Sequence, residues 1–338
     1  MRESLDLRKR HLLLVAAPIA ALALVAALPQ LLRDQVGAAF HGLLVASPAW
    51  LWLAAISFAA ALVASGCAWR SALGRCGGEL GRADASARYG VGSLVNAVAP
   101  AKLGSAVRFA LYSRALPGDG KLWTTGGVAA SIGAARSIWL AVLLAFAAAS
   151  GVLPAWPLAV VAAVLAIVVA VAYVSRDSRP SARVAHVLDA FRALGRCPRA
   201  AAQLIGWVGL AAAARVGAAT AIAAAFGIEQ PLLAALLVVP ALDLAGILPL
   251  TPGNIGIASA AVGFALHAHG ATSGVAMSAG LAFSAVETVT SLAFGAGSVL
   301  YLASGAPGAR RWTMAAAGAT ACLGLGAAFG ATVLFPLV

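Results

Sequence analysis

Pro100-Ala101-Lys102-Leu103-Gly104 interrupts an apolar stretch, Tyr89 to Tyr112, that has basic loops on both sides. A segment this apolar with both ends on one side of a membrane must enter and return, as a pair of half-helices around the break. The same pattern of Pro, two residues, a branched aliphatic and Gly recurs 152 residues later as Pro252-Gly253-Asn254-Ile255-Gly256. It lies in a second interrupted stretch, Pro231 to His269, broken also at Pro240 and Pro249. Half-helix N-termini carry unsatisfied N–H groups and partial positive charge, which suit an anionic group. One such break is most simply a packing kink. Two in corresponding places point to a site.

Working outward, the 338 residues are 62% hydrophobic and only 10% charged, with a mean hydropathy of +0.95, beyond the range of ordinary water-soluble domains. Apolar runs long enough to cross a hydrocarbon core of roughly 30 Å recur along the chain. Seven are expected to span: 11–32, 49–69, 122–150, 153–175, 201–226, 272–302 and 312–335. Shifting 49–69 and 122–150 by 152 residues lands on 201–221 and 274–302, so the unit of span, re-entrant pair and span occurs twice. The predicted fold is all-α: a polytopic transmembrane bundle with two oppositely oriented re-entrant helix pairs, an inverted repeat of the kind that builds transporter sites near the midplane. Residues 1–10 form a cytoplasmic tail, 11–305 the membrane domain with repeats at about 49–150 and 201–302, and 306–338 an additional helix.

A net charge of +12 raises the question of nucleic acid, and the position of the cations argues against it. All of the 23 Lys and Arg except Arg33, Arg136 and Arg215 fall in five clusters between or beside spans, 2–10, 70–88, 102–121, 176–199 and 310–311. Placing these clusters in the cytoplasm leaves 33–48, 150–153 and 227–231 outside, so the N-terminus is inside and the C-terminus outside. The alternative for the first apolar run, a cleaved signal segment, is disfavoured by a hydrophobic region longer than 7 to 15 residues. Cys76 and Cys197 fall in loops and Cys67 and Cys322 in spans, with no CxxC pair. His267 and His269 read as interfacial residues rather than metal ligands, and neither a metal nor a cofactor is expected.

Four ionisable residues are placed deep: Arg136, Arg215, Asp243 and Glu287. Each costs about 2.5 to 3.5 kcal/mol at a helix centre, so all four should face partners or water, as structural charge pairs or as a gate. Arg136 and Glu287 lie at similar depths from opposite faces, roughly 21 to 23 Å in, and are expected to approach one another. Lys102, Arg108 and Arg114 form a basic cluster at the cytoplasmic mouth, suited to a lipid phosphate, although loop cations need no ligand. Asn96 and Asn254 stand beside the two breaks and can satisfy freed backbone or bind a headgroup. The expected substrate-binding set is Asn96, Pro100, Lys102, Gly104, Arg108, Thr251, Pro252, Gly253, Asn254 and Gly256.

Asn96 to Arg108 and Leu248 to Ile257, the second including Pro249, Thr251, Pro252, Gly253, Asn254 and Gly256, carry a resemblance. Over about residues 10 to 305 the chain resembles the flippase-like family that includes the transmembrane region of lysylphosphatidylglycerol synthase. The resemblance implies translocation of lipid between leaflets, with aminoacylation left to a separate soluble domain. The longest soluble segment in these residues, 176–200, is too short to hold such a domain. The chain departs from the family pattern at Ser105 and at Ala258 or Ser259, where Glu is usual, and at Ala135-Arg136, where Glu-Arg is usual.

Three functions remain in view. The first is a transporter or flippase for an anionic phospholipid or lipid-linked headgroup, working by alternating access. The second is a non-catalytic subunit or scaffold with an envelope-synthesis partner protein, and the third an integral-membrane transferase. The enzyme is disfavoured because Glu79, Asp84, Asp119, Asp177 and Asp189 are scattered, with no clustered acids or His-acid pair at the aqueous boundary. No nucleotide-binding loop occurs, so a gradient or product removal would have to drive transport. Truncation of 176–200 should spare a flippase core and disable an assembly subunit.

Overall fold

The computed structural model describes residues 46–99, 103–117, 120–151, 182–245 and 255–303, with Ala159, Ala162 and Ala163 besides. Within them the chain is helical, with no strand. The helices are α1 (Pro48–Leu73), α2 (Arg82–Val98), α3 (Leu103–Ser113), α4 (Lys121–Ala149), α5 (Ala182–Gly195), α6 (Pro198–Ala225), α7 (Pro231–Ala245), α8 (Ile255–Ala268) and α9 (Ser273–Ala303).

Four of these are long and apolar enough to cross a membrane: α1, α4, α6 and α9. They correspond to the expected spans 49–69, 122–150, 201–226 and 272–302. At 26, 29, 28 and 31 residues they extend roughly 39 to 47 Å, enough to span with some tilt. The expected spans 11–32, 153–175 and 312–335, together with the tails, lie outside the described residues apart from the three alanines. Between the long helices lie α2, α3, α7 and α8, of 17, 11, 15 and 14 residues. At roughly 17 to 26 Å each falls short of the hydrocarbon thickness.

The order long, short, short, long therefore occurs twice. The first quartet starts its helices at 48, 82, 103 and 121 and the second at 198, 231, 255 and 273, offsets of 150, 149, 152 and 152. Packing follows the same correspondence. α1 lies on α2 as α6 lies on α7; α2 lies on α9 as α7 lies on α4; α3 lies on α4 as α8 lies on α9. At the α2–α9 crossing, Gly90 and Gly295 let the backbones meet, since a methyl group on Gly295 would come 2.9 Å from the Gly90 carbonyl.

α1 and α6 form the central pair and run antiparallel. The Ser47 N–H donates to the Ala225 carbonyl at 3.2 Å, joining the start of one helix to the end of the other. Two apolar cores follow from this arrangement. One joins Leu51, Ala54 and Phe58 of α1 to Ile222 of α6, Val238 of α7, Val262 of α8 and Phe283 of α9. The other joins Ala72 and Leu73 of α1 to Leu204 of α6, Tyr112 of α3, Val128 of α4 and Leu194 of α5. Each core thus draws on both quartets.

The segment 176–200, expected to be a soluble loop, instead contains α5. Ala190 and Leu194 are buried in the second core, and Val187 and Ala190 pack against Gly127 of α4. The repeat i, i+3, i+7 of Val187, Ala190 and Leu194 gives this basic segment an apolar face. Deleting it would strip a core wall, so the truncation cannot separate a transporter from an assembly subunit.

Candidate functional site

α2 and α3 form a hairpin locked at its base. The Tyr112 hydroxyl donates to the Ala85 carbonyl at 2.7 Å, the Tyr112 ring stacks on Trp69 of α1 at 4.5 Å, and Arg88 Nη1 donates to the Leu111 carbonyl. Toward the break the two helices touch at Gly92 and Gly104. A methyl group on Gly104 would collide with the Gly92 carbonyl oxygen and lie 2.5 Å from the Asn96 nitrogen. Glycine is required here for close approach.

This crossing fixes Arg108, one turn beyond Gly104. Its guanidinium carbon stands 3.7 Å from the centroid of the Tyr89 ring, a cation–π contact, and its Nη2 donates to Ser93 Oγ at 3.3 Å. Arg108 Nε and Asn96 Oδ1 are both buried without a hydrogen-bond partner. Such atoms carry a desolvation penalty unless a ligand or water meets them.

Arg108 and Asn96 form part of the wall of a cavity of about 590 Å³. α1 contributes Phe58 to Ser65, the segment between the two cores. Arg136 and Ser137 come from α4, Arg215 from α6, Asp243 from α7, and Glu287, Thr288 and Ser291 from α9. Arg136 and Arg215 are 15 and 17 residues from the starts of their helices and Glu287 is 14, placing the charges roughly 21 to 26 Å along helices that are long enough to span. A smaller, more apolar cavity of about 280 Å³ adjoins it, sharing Tyr89, Arg108, Arg136 and Arg215 and bounded by Trp69, Ile132, Trp139 and Leu143.

The four deep charges are paired, but not as depth alone predicts. Arg136 pairs with Asp243, and Arg215 Nη2 lies 3.3 Å from Glu287 Oε1. Arg136 and Glu287 line the same cavity without joining each other. The reason is the packing order: α4 lies on α7, and α6 on α9. Neither pair is sealed, since the Arg136 side chain is 54% exposed and Asp243 16%. An opening in the bundle lowers the cost of holding four charges there.

Of the expected binding set, Asn96 and Arg108 line the cavity, Gly104 supports it from behind, and Gly256 stands exposed at the start of α8 with open space around it. Pro100, Lys102, Thr251, Pro252, Gly253 and Asn254 lie outside the described residues. His267 and His269 bond to carbonyls, those of Ala271 at 2.9 Å and Glu229 at 3.2 Å, tying the end of α8 to neighbouring loops.

Sequence reasoning missed Ser65, Tyr89, Ser93, Ser105 and Ser137 and the pair Thr288 and Ser291. A signal was present. Tyr89, Ser93 and Asn96 are spaced i, i+4, i+7; Gly133, Arg136 and Ser137 are spaced i, i+3, i+4; Ser105 and Arg108 are three apart. Each set falls on one helix face. Polar stripes at helical period, inside helices otherwise apolar all round, mark the surface facing the cavity.

A family model described as the lysylphosphatidylglycerol synthase TM region matches residues 13–295. That range takes in all four long helices but the last residues of α9, and every residue of the cavity wall. Among curated proteins, none matches the chain.

Proposed function

Because the chain belongs to the lysylphosphatidylglycerol synthase transmembrane-region family, we propose that it carries an anionic lipid headgroup between leaflets through the charged cavity. One observation carries this function. Five ionisable side chains, drawn from both quartets, face a single open cavity midway along helices long enough to span. Charges in a membrane domain are costly, and they are retained where they serve a polar pathway.

The two quartets are an inverted repeat on this account. Support comes from the matching helix starts, the reciprocal packing and the antiparallel α1 and α6. The N-terminus is cytoplasmic, so α2 and α3 enter from the cytoplasmic face and α7 and α8 from the other. Rocking of one quartet against the other would open the cavity to each side in turn. The pairs Arg136–Asp243 and Arg215–Glu287 join α4 to α7 and α6 to α9, and would break and re-form during that motion. The protein is a carrier rather than an enzyme: each of the two cavity carboxylates is engaged by an arginine, which leaves neither poised as a general base.

The test is flipping of tail-labelled phosphatidylglycerol in proteoliposomes. The full chain should accelerate exchange between leaflets, and Lys102→Ala combined with Arg108→Ala should slow it by about tenfold or more, the loss of a charge-assisted contact. No acceleration for any anionic lipid would overturn the proposal.

A further inference from the structure

Charge along the cavity wall is unbalanced, and the imbalance specifies a ligand. Among the described residues the wall holds three cations, Arg108, Arg136 and Arg215, and two anions, Asp243 and Glu287. Asp243 and Glu287 are occupied by Arg136 and Arg215. Arg108 has no carboxylate partner among the described residues, resting on a ring and a hydroxyl with Nε buried and unmet. The described wall therefore carries a formal charge of +1.

We infer that the cavity binds a lipid with a single negative charge, a phosphodiester whose headgroup bears hydroxyls, with the adjoining apolar cavity taking the start of its hydrocarbon part. This inference rests on the transport function for the lipid's role as cargo, but not for its binding. One negative charge neutralises Arg108, and a guanidinium fork matches phosphate oxygens. A second negative charge would stand uncompensated where dielectric screening is weak. A cationic headgroup would have to displace an arginine from Asp243 or Glu287.

Hydroxyls are indicated by the wall chemistry. Ser65 and Ser137 each donate to the carbonyl four residues back, Ala61 at 2.7 Å and Gly133 at 3.1 Å. Their oxygens are then left to accept from a ligand hydroxyl. The unmet Asn96 Oδ1 is a further acceptor. A fatty acid would satisfy the charge alone and leave this polar volume without partners. The apolar side is indicated by Trp69, Ile132, Trp139 and Leu143, which border the smaller cavity beside Arg108, so that head and chain positions are contiguous.

The experiment measures binding without transport. The full chain in neutral detergent micelles is titrated with fluorescent phosphatidylglycerol, which is then competed with unlabelled phosphatidylglycerol, phosphatidic acid, phosphatidylcholine, oleate and soluble glycerophosphoglycerol. Phosphatidylglycerol should compete at least tenfold better than phosphatidylcholine or oleate, and about threefold better than phosphatidic acid. Ser105→Glu places a carboxylate one turn from Arg108 on the same wall and should remove the preference over phosphatidylcholine. Arg108→Gln should do the same, so the result stands even if one variant fails to fold, as judged by thermal unfolding. Equal competition by phosphatidylcholine, or a preference that survives both substitutions, overturns the inference. Competition by glycerophosphoglycerol as strong as by the lipid overturns the assignment of the apolar cavity. Selective binding without flipping supports the inference while removing the transport function, and flipping indifferent to headgroup charge does the reverse.

Discussion

Gly104 and Gly256 stand 152 residues apart, at matching places in the two quartets, and have opposite surroundings. Gly104 is buried against Gly92 and Asn96, whereas Gly256 has nothing within van der Waals reach. The side chains one turn further on differ as well: Arg108 lines the cavity in the first quartet, and its counterpart in the second is Ala260. The second quartet contributes instead both cavity carboxylates, Asp243 and Glu287, together with Arg215. A repeated scaffold can thus hold an unequal set of charges. The first quartet supplies a tightly built hairpin carrying the unpaired cation; the second supplies the acids that hold the other two arginines in place.

The comparison breaks most visibly under a small side chain. Gly104→Val should destabilise the protein by about 3 kcal/mol, because overpacking at a backbone contact has no flexible side chain to yield. Gly256→Ala should change stability by less than about 0.5 kcal/mol. Thermal unfolding in micelles of one composition measures both, and equal losses would refute the assignment of the tight crossing to the first quartet alone.

The charge division is tested by Asp243→Asn. Leaving Arg136 without its acid should cost about 2 kcal/mol, and adding Arg136→Gln should restore at least half of the loss. A double variant no more stable than the single would show that the pair is not a unit. Denaturant titration in mixed micelles provides the readout.

The smallest effect concerns α8 and α9. Ser259 and Ser284 are buried and hydrogen-bonded at 2.8 Å, and the matching positions of the first quartet are Val107 and Ile132. Ser259→Val alone should cost about 1 kcal/mol by leaving a buried hydroxyl less well satisfied. Ser259→Val with Ser284→Ile, which imitates the first quartet, should be closer to neutral. The order of the two losses, read from the same unfolding measurement, sharpens how far the quartets are interchangeable.

Much of this architecture is legible in residue order. Hydropathy alone marks the four long helices, because a 26- to 31-residue apolar helix leaves few alternatives. The paired breaks at Pro100 and Pro252 supply the 152-residue offset. Pairing of the deep charges is not legible in the same way. α4, α6 and α9 are apolar around most of their circumference, so depth places Arg136 near Glu287 and cannot say that α7 intervenes. α5 is missed for a different reason: its arginines dominate the segment, and three apolar positions at helical spacing are easily read as loop. Arg108 is found from its charge, but its lack of a carboxylate partner follows only from where Tyr89, Ser93 and Ser105 stand.

The antiparallel union of α1 and α6 has a consequence for how the chain is made. α6 begins 150 residues after α1, so at 5 to 20 residues per second a ribosome delivers it about 8 to 30 s later. During that interval the small residues Ala54, Ala55, Ala61 and Ala64, which face protein in the finished bundle, face lipid or the insertion machinery instead. Neither core can close until the second quartet arrives, since each requires a segment of α6. Biogenesis is therefore a single late event: the first half is synthesised as an incomplete guest in the bilayer and becomes a folded body only when its counterpart is threaded beside it.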